Sequence, residues 1–329
     1  LWFSLGIGLM VLQTGALLAP GLGLSGSLLA IFLGTLVGVS LLASVGVIGS
    51  DTGLSSMAAL KLTLGSRGAM LPAVLNVLQL IGWGSFEIIV MRDAASLLGA
   101  RAFSEGSVLS NPWVWTLFFG ALATLLAVSG PLTFVRKVLR KWGIWLLLAA
   151  CLWLTWNLFA KADLAALWAQ KGDGSLPFAV GFDIAIAMPL SWLPLIGDYT
   201  RTAKCPVAAS AVSAIVYSIV SCWMYFIGLG TAIYTGESDI AAVMLKAGLG
   251  IAALLIVIFS TVTTTYLDAY SGGVSAVSLF SKLPEKTTSI VICVIGAILA
   301  IFTPITNWTC SGALILPARA ISTALKIID

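Results

Sequence analysis

Long apolar runs separated by short polar segments make up almost the whole chain. A helix needs about 20 mainly apolar residues to cross the hydrocarbon core of a bilayer. The eighth run is longer than a bilayer requires, so we expect it to tilt or to project at one end. The pattern predicts ten membrane spans, numbered 1 to 10, at about residues 1–20, 27–49, 69–91, 112–129, 142–160, 178–197, 207–234, 248–280, 288–303 and 306–322.

Composition narrows the class of protein. Of the 329 residues, 60% are hydrophobic and only 9% are charged, which excludes a soluble globular domain. Histidine is absent from the sequence, so histidine-based metal sites, nucleophile triads and proton relays are excluded as well. The five cysteines show no paired spacing and mostly lie in apolar runs, where a thiol behaves as a small hydrophobic group. The composition is typical of an all-α polytopic membrane protein.

Basic residues are distributed unequally between the two sets of loops. Twelve fall on the side of the N-terminus and five on the other side. Because loops rich in Lys and Arg stay in the cytoplasm, the N-terminus is predicted to be cytoplasmic. The twelve are Lys61, Arg67, Arg136, Lys137, Arg140, Lys141, Arg201, Lys204, Lys282, Lys286, Arg319 and Lys326, and the five are Arg92, Arg101, Lys161, Lys171 and Lys246.

Two spans contain residues that interrupt helices. Span 6 carries Pro189 and Pro194, each of which lacks a backbone donor and clashes one turn back. Span 1 carries glycines 6, 8, 15, 21 and 23 together with Pro20. Breaks of this kind leave carbonyls free to hold small solutes and cations in transporters, although prolines also occur in merely kinked membrane helices. The segment from Pro189 to Trp192 is therefore predicted to form a wall of a binding site.

The positions of the two broken spans predict an internal symmetry. Five spans precede span 6, so the halves at residues 1–160 and 178–322 enter the membrane from opposite sides. This is the geometry of an inverted repeat, in which spans 1 and 6 are equivalent. We therefore expect one transmembrane domain over residues 1–329, built from five plus five spans.

Glu87 lies deep in span 3 with no basic residue within a turn. A carboxyl group at that depth is costly, so by default it faces a cavity on a substrate, ion or proton path. Trp83 lies four residues earlier on the same helical face and would give a flat ring beside the carboxyl group. Such a pair suits a small planar heterocycle. The alternatives are an acid that pairs with another helix and a tryptophan that only packs.

Asp268 lies in span 8, after a segment rich in hydroxyl groups at residues 260–265. Hydroxyl oxygens, together with carbonyls freed at a broken helix, are hard ligands of the kind that Na⁺ prefers. The alternative is that these threonines bond back to carbonyls of their own helix.

Asp198 and Arg201 close span 6 at the predicted cytoplasmic face. This position suggests a gate or a loop anchor, and the alternative is a plain interfacial ion pair.

Five stretches carry a resemblance to a known family, and those of spans 3 and 6 are the most specific. In them the chain resembles the nucleobase:cation symport-1 family, most of all its bacterial branch of hydroxymethylpyrimidine transporters associated with thiamine biosynthesis. The resemblance implies the leucine-transporter fold, usually with twelve helices, and uptake of purines, pyrimidines, hydantoins or related vitamins with Na⁺ or H⁺. The stretches are WFSLGIG (2–8), TGALLAP (14–20), GWGSFE (82–87), PLSWLPLIGDYTR (189–201) and TTTYLDAYSGG (263–273).

The resemblance also implies a substrate site. Trp83 corresponds to the stacking tryptophan of the family, and Glu87 stands where relatives carry the amide that reads the substrate edge. Asp268 lies near the substrate-binding asparagine, and the aromatic residue of span 6 corresponds to Trp192 within a few residues. The glutamine often found midway in span 1 falls at Gly8.

A cation site is implied in the same way. Thr263 and Thr264 match the hydroxyl ligands of the family, and the span 1 backbone around Ser4 and Ile7 would complete the shell. The ends of the chain depart from the pattern. The sequence starts inside an apolar run, and residues 308–329 lack the expected span 10 pattern, so we expect the natural N-terminus and helices 11 and 12 to be missing.

The sequence thus predicts a secondary transporter that takes up hydroxymethylpyrimidine, a thiamine precursor, with Na⁺ or H⁺ across a bacterial cytoplasmic membrane. A permease for cytosine, another nucleobase or a hydantoin is the first alternative, and an ion channel is the second. An enzyme is not expected. The predicted partners are the pyrimidine-like substrate and membrane lipid, with no nucleic acid, no obligatory protein partner, no cofactor, and no metal beyond the Na⁺ site.

Overall fold

A computed structural model describes residues 1–104, 106–129, 141–237, 250–280 and 282–302, and the named elements of this part are all helical. A short 3₁₀ helix covers Val108–Ser110. The α-helices are α1 (Trp2–Gly6), α2 (Leu9–Thr52), α3 (Ser56–Gly68), α4 (Met70–Ala102), α5 (Pro112–Ser129), α6 (Ile144–Lys161), α7 (Leu164–Ala169), α8 (Phe178–Ser191), α9 (Ile196–Thr200), α10 (Pro206–Thr235), α11 (Gly250–Leu279) and α12 (Glu285–Phe302).

The helices follow the predicted spans closely. In the described part of the chain, seven helical segments are long and apolar enough to cross a membrane, so the protein is a multi-pass membrane protein. Spans 3, 4, 5, 7, 8 and 9 correspond to α4, α5, α6, α10, α11 and α12. Span 10 and the basic segment at 130–140 lie outside the described residues.

Both predicted breaks are present. In span 1, α1 ends at Gly6 and α2 begins at Leu9, because Ile7 and Gly8 leave the helical conformation. In span 6, α8 ends at Ser191 and α9 begins at Ile196, with turns between them. Pro194 explains this second break, since it has no N–H to donate back along the helix and disfavours helical geometry in the residue before it.

Three differences from the predicted pattern have physical causes. Helix α4 continues about three turns beyond the predicted end of span 3, so Arg92 lies in a helix rather than in a loop. It can do so because its guanidinium pairs with Asp93 (3.0 Å) and donates to the carbonyl of Ala300. The helices α3 and α7 were not predicted, because they are too short or too polar to resemble a span.

A third interruption, at Gly23, separates spans 1 and 2 inside α2. Its backbone has φ 66° and ψ −170°, a region that favours glycine. The carbonyls of Pro20 and Gly21 accept hydrogen bonds from the N–H groups of Asp173 (2.9 Å) and Gly174 (3.1 Å). The loop between α7 and α8 therefore satisfies the backbone groups at the end of span 1, and we call this contact the loop strap.

The helices form two groups. The α2 group comprises α1, α2, α8, α9 and α10. In it, α8, α9 and α10 pack against α2, and α1 packs against α10. The α11 group comprises α4, α5, α11 and α12, which contact one another. Helix α1 reaches across and contacts α11, and α6 contacts both α10 and α11. The break in span 1 therefore lies beside span 8.

Helix α2 approaches span 6 through a stripe of glycines. A β-carbon at Gly38 would lie 2.4 Å from the ring of Pro189 in α8, and one at Gly49 would lie 2.6 Å from the Cα atom of Gly197 in α9. Glycine allows these helices to approach closely because it carries no side chain. Consequently α2 contacts span 6 on both sides of its break. The stripe consists of glycines 34, 38, 46 and 49.

Candidate substrate and cation site

Glu87 projects from α4 toward α11 and is only 9% exposed. Its carboxyl group lies beside the hydroxyls of Thr264 and Thr265 on α11. Its Oε2 atom has no hydrogen-bond partner among the described residues. A buried polar atom without a partner is costly, so this oxygen marks a place where a ligand would be stabilised.

Asp268 brings a second acid to the same interface. It lies one helical turn along α11 from Thr264 and is 5% exposed. The two carboxyl groups are close enough to interact electrostatically, and Asp268 also interacts with the side chains of Cys293 and Tyr199. The structure therefore brings together the two acids that were predicted to contact substrate, which lie 181 positions apart in the sequence.

No basic side chain is seen to compensate these acids in the described residues. Arg92 is the nearest base along α4, and its guanidinium is already bound by Asp93 and the Ala300 carbonyl. Two negative charges in a low-dielectric interior repel each other strongly. The site is therefore suited to a ligand, or a ligand and a cation together, that brings positive charge or hydrogen-bond donors.

Trp83 lies one turn before Glu87 on α4 and is partly exposed. Its indole makes an edge contact with Phe86, with ring centroids 6.2 Å apart. This edge contact supports the ring from within α4. Trp83 therefore lies on the same helix as the buried acid, one turn away along α4.

Trp192 and Gly8 lie at the two helix breaks. The ring of Trp192 is 9% exposed and packs edge-on against Trp2, at 6.3 Å between centroids. It belongs to a buried cluster that also contains Tyr199 and Tyr217. Its described ring contact is with α1. Gly8 is extended, and a β-carbon there would meet its nearest atom at 3.6 Å, which is ordinary van der Waals contact.

The predicted cation ligands differ in their present hydrogen bonds. Thr263 is fully buried, and its hydroxyl has no partner among the described residues. Thr264 donates to the carbonyl of Thr261 (2.9 Å), as in the back-bonded alternative. Ser4 donates to the carbonyl of Leu1 (2.8 Å), and Ile7 lies in the non-helical break. Among these four residues, Thr263 is the one whose hydroxyl is unpartnered, and it lies on α11, which α1 contacts.

Asp198 is an anchor in the structure rather than half of an ion pair with Arg201. It is 3% exposed, and its Oδ1 atom accepts from the N–H of Ser56 (3.1 Å). The hydroxyl of Ser56 in turn accepts from the N–H of Gly197 (2.9 Å). These bonds attach the end of span 6 to the start of α3.

Arg201 joins the two helix groups. Its guanidinium donates to the hydroxyl of Tyr270 (2.8 Å) and pairs with Glu285 (3.3 Å), both in the α11 group. Nearby, Ser271 donates to the hydroxyl of Tyr199 (2.9 Å). Sequence reasoning missed Tyr270, Ser271 and Glu285, because their partners are distant along the chain.

Comparison with known proteins defines the class as a membrane permease. A family model described as a permease for cytosine/purines, uracil, thiamine and allantoin matches residues 1–326. The chain belongs to this family.

Among curated relatives, the cytosine permease of Escherichia coli (strain K12) is 25% identical over 296 residues, covering 88% of this chain and 66% of that protein. YxlA of Bacillus subtilis (strain 168) is 26% identical over 311 residues, covering 91% and 65%. The chain thus spans about two thirds of the length of these relatives. The family is one of permeases and not of enzymes.

Solved structures show the same fold. Mhp1, a nucleobase-cation-symport-1 family transporter, in a closed conformation with bromovinylhydantoin bound, matches with a TM-score of 0.80. The identity is 20%, and the match covers 95% of this chain and 71% of that one. The inward-facing conformation of Mhp1 matches with a TM-score of 0.71 at 19% identity, covering 98% and 72%. The predicted leucine-transporter fold, with spans 1 and 6 broken, is confirmed.

Proposed function

We propose that the chain is the core of a cation-coupled permease for a nucleobase-type ring, and that its substrate is hydroxymethylpyrimidine. The observation that carries the proposal is the unpartnered Oε2 atom of Glu87, buried between α4 and α11 one turn from Trp83. A planar ring stacked on Trp83 could present its edge to this oxygen. The curated cytosine permease relative supports cytosine as the second candidate substrate.

Aminopyrimidines suit the polar groups of this site. Hydroxymethylpyrimidine and cytosine each carry an exocyclic amine beside a ring nitrogen. The amine can donate to a carboxyl oxygen, and the ring nitrogen can accept from a protonated one. We place the permease in a bacterial cytoplasmic membrane with its N-terminus inside, on the basis of the unequal distribution of Lys and Arg.

The substrate role of Glu87 can be tested by binding of radiolabelled hydroxymethylpyrimidine and cytosine to membranes that contain the chain. Glu87→Ala leaves the substrate edge unpaired, which costs about 1–3 kcal/mol, or about 5- to 150-fold in affinity. Glu87→Gln keeps an acceptor and should retain part of the binding. Asp51→Asn, an exposed acid at the end of α2, is the matched control. Binding unchanged in Glu87→Ala would refute the proposed role.

Sodium is the proposed coupling ion, with Thr263 as a ligand and Thr264 and the backbone near Ser4 and Ile7 completing the shell. Thr263→Ala should raise the Na⁺ concentration for half-maximal substrate binding more than tenfold, because this hydroxyl has no other partner. Thr264→Ala should raise it less, and Thr263→Ser should restore it. Substrate binding that ignores Na⁺ and instead follows a proton gradient would contradict the sodium site.

A further inference from the structure

Around Glu87 and Asp268, hydrogen-bond acceptors outnumber the donors that are available to a ligand. Two carboxyl groups offer four oxygen atoms, and even with one shared proton they contribute a single donor. The neighbouring hydroxyls of Thr264 and Thr265 already donate to the carbonyl of Thr261, at 2.9 Å and 2.8 Å. Both hydroxyls also lie within hydrogen-bonding reach of the Glu87 carboxyl group. Each hydroxyl has a single hydrogen, which is used by the Thr261 carbonyl or by Glu87 and is not left for a ligand.

The charged groups in this neighbourhood show the same bias. Asp268 interacts with Glu87, Cys293 and Tyr199, and none of these carries a positive charge. Arg92 is bound to Asp93 and Ala300. A ligand edge that presents a carbonyl oxygen to this place would face carboxyl oxygens, so both its acceptors and theirs would stay unpaired. A ligand edge that presents an amine would pair with them.

We propose that Glu87 and Asp268 together select rings with an amino group next to a ring nitrogen over rings that carry a carbonyl oxygen there. Aminopyrimidines, cytosine and adenine belong to the first class, and uracil and hypoxanthine to the second. This inference rests on the proposed function, because it assumes that a ring binds between α4 and α11. It adds that Asp268 is a specificity-determining residue and not only a neighbour of the site.

The expected selectivity is large. A site built to pair with a donor on its ligand rejects an analogue that lacks the donor by a factor of about 10⁴ or more. A carboxyl pair that can take up a proton is less exclusive, so we expect cytosine to compete at least about 100-fold better than uracil. If the larger purine ring enters the site, adenine should likewise compete better than hypoxanthine.

Amide substitutions separate a selective role from a structural one. Asp268→Asn and Glu87→Gln keep the size of the side chain and add an NH₂ donor that can bind a carbonyl oxygen. Each variant should bind cytosine more weakly and uracil more tightly than the parent does. The ratio of the cytosine affinity to the uracil affinity should therefore fall at least tenfold. A merely structural role would weaken both rings in parallel and leave the ratio unchanged. Asp51→Asn is again the matched control.

The test uses membranes that contain the parent chain or a variant. A ring that binds with measurable affinity serves as the radiolabelled probe, and unlabelled cytosine, uracil, adenine and hypoxanthine compete with it. A preference for cytosine that shrinks in both amide variants is the expected result. Equal or better binding of uracil to the parent, or a ratio unchanged by both amides, would overturn the inference while the proposed permease function stands. If none of the rings nor hydroxymethylpyrimidine binds, the proposed function falls and the inference falls with it.

Discussion

The two ends of the helix bundle are held by different kinds of bond. At the predicted cytoplasmic end, side chains make the contacts: Asp198 with the backbone of Ser56, and Arg201 with Tyr270 and Glu285. At the opposite end, the loop strap bonds backbone to backbone at the end of span 1. Side-chain bonds can be removed one at a time by substitution, whereas the strap bonds join backbone groups of Pro20, Gly21, Asp173 and Gly174 and stay in place when a side chain is truncated.

The difference predicts where the fold tolerates change. The side-chain bonds of Tyr199 and Arg201 join the α2 group to the α11 group, so their loss should loosen one contact between groups. The loop strap belongs to the α2 group and completes a helix end. Its loss should therefore be more damaging to stability than the loss of any single side-chain bond at the other end.

The largest effect is expected at Gly23. A β-carbon there would lie 2.5 Å from the backbone nitrogen of Gly172, and the positive φ adds strain for any other residue. We expect Gly23→Ala to destabilise the purified protein by about 2–4 kcal/mol, since strain and overpacking act together. Thermal unfolding in detergent would measure this. Gly26→Ala is the control because its β-carbon would meet nothing closer than 3.4 Å, and equal melting temperatures would show that the strap is dispensable.

A smaller effect is expected at Asp198. Asp198→Ala leaves the buried N–H of Ser56 without its acceptor, at a cost of about 1–3 kcal/mol. Asp198→Asn keeps an acceptor and should cost less. Ser56→Ala keeps the N–H that Asp198 binds but removes the hydroxyl that accepts from Gly197. Unfolding of the two single variants and the double variant therefore forms a thermodynamic cycle for these two adjacent bonds, whose losses should be non-additive. Strictly additive losses would mean that the two residues do not act as one anchor.

The smallest effect on stability is expected at Arg201. Its partner Glu285 has a side chain that is 39% exposed, and such ion pairs contribute about 0–1 kcal/mol. Arg201→Gln should therefore lower the melting temperature only slightly, and the remaining difference should shrink at high salt. A loss of stability larger than that of Asp198→Ala would reverse the proposed order. Arg201 would then contribute more than Asp198 to the stability of this end of the bundle.

Local patterns predicted most of the helices and both breaks in spans 1 and 6, because hydropathy and proline act within a few residues. The acids of the candidate site were also predictable, since Glu87 is conspicuous in an apolar helix. The loop strap was not, because no local signal near Gly23 points to a loop about 150 positions away. The partners of Asp198 and Arg201 were missed for the same reason. The extension of α4 was missed because the cost of Arg92 is offset by Asp93 and by Ala300, which is distant in sequence.

The glycine stripe of α2 has a consequence for how span 6 can move. Between Ser191 and Ile196 the regular helix of span 6 gives way to turns, which would ordinarily create a joint. Helix α2 lies along both pieces at backbone distance, through Gly38 before the break and Gly49 after it. We therefore expect α2 to hold the two pieces of span 6 together, so that they move as one body and the break between them keeps its shape.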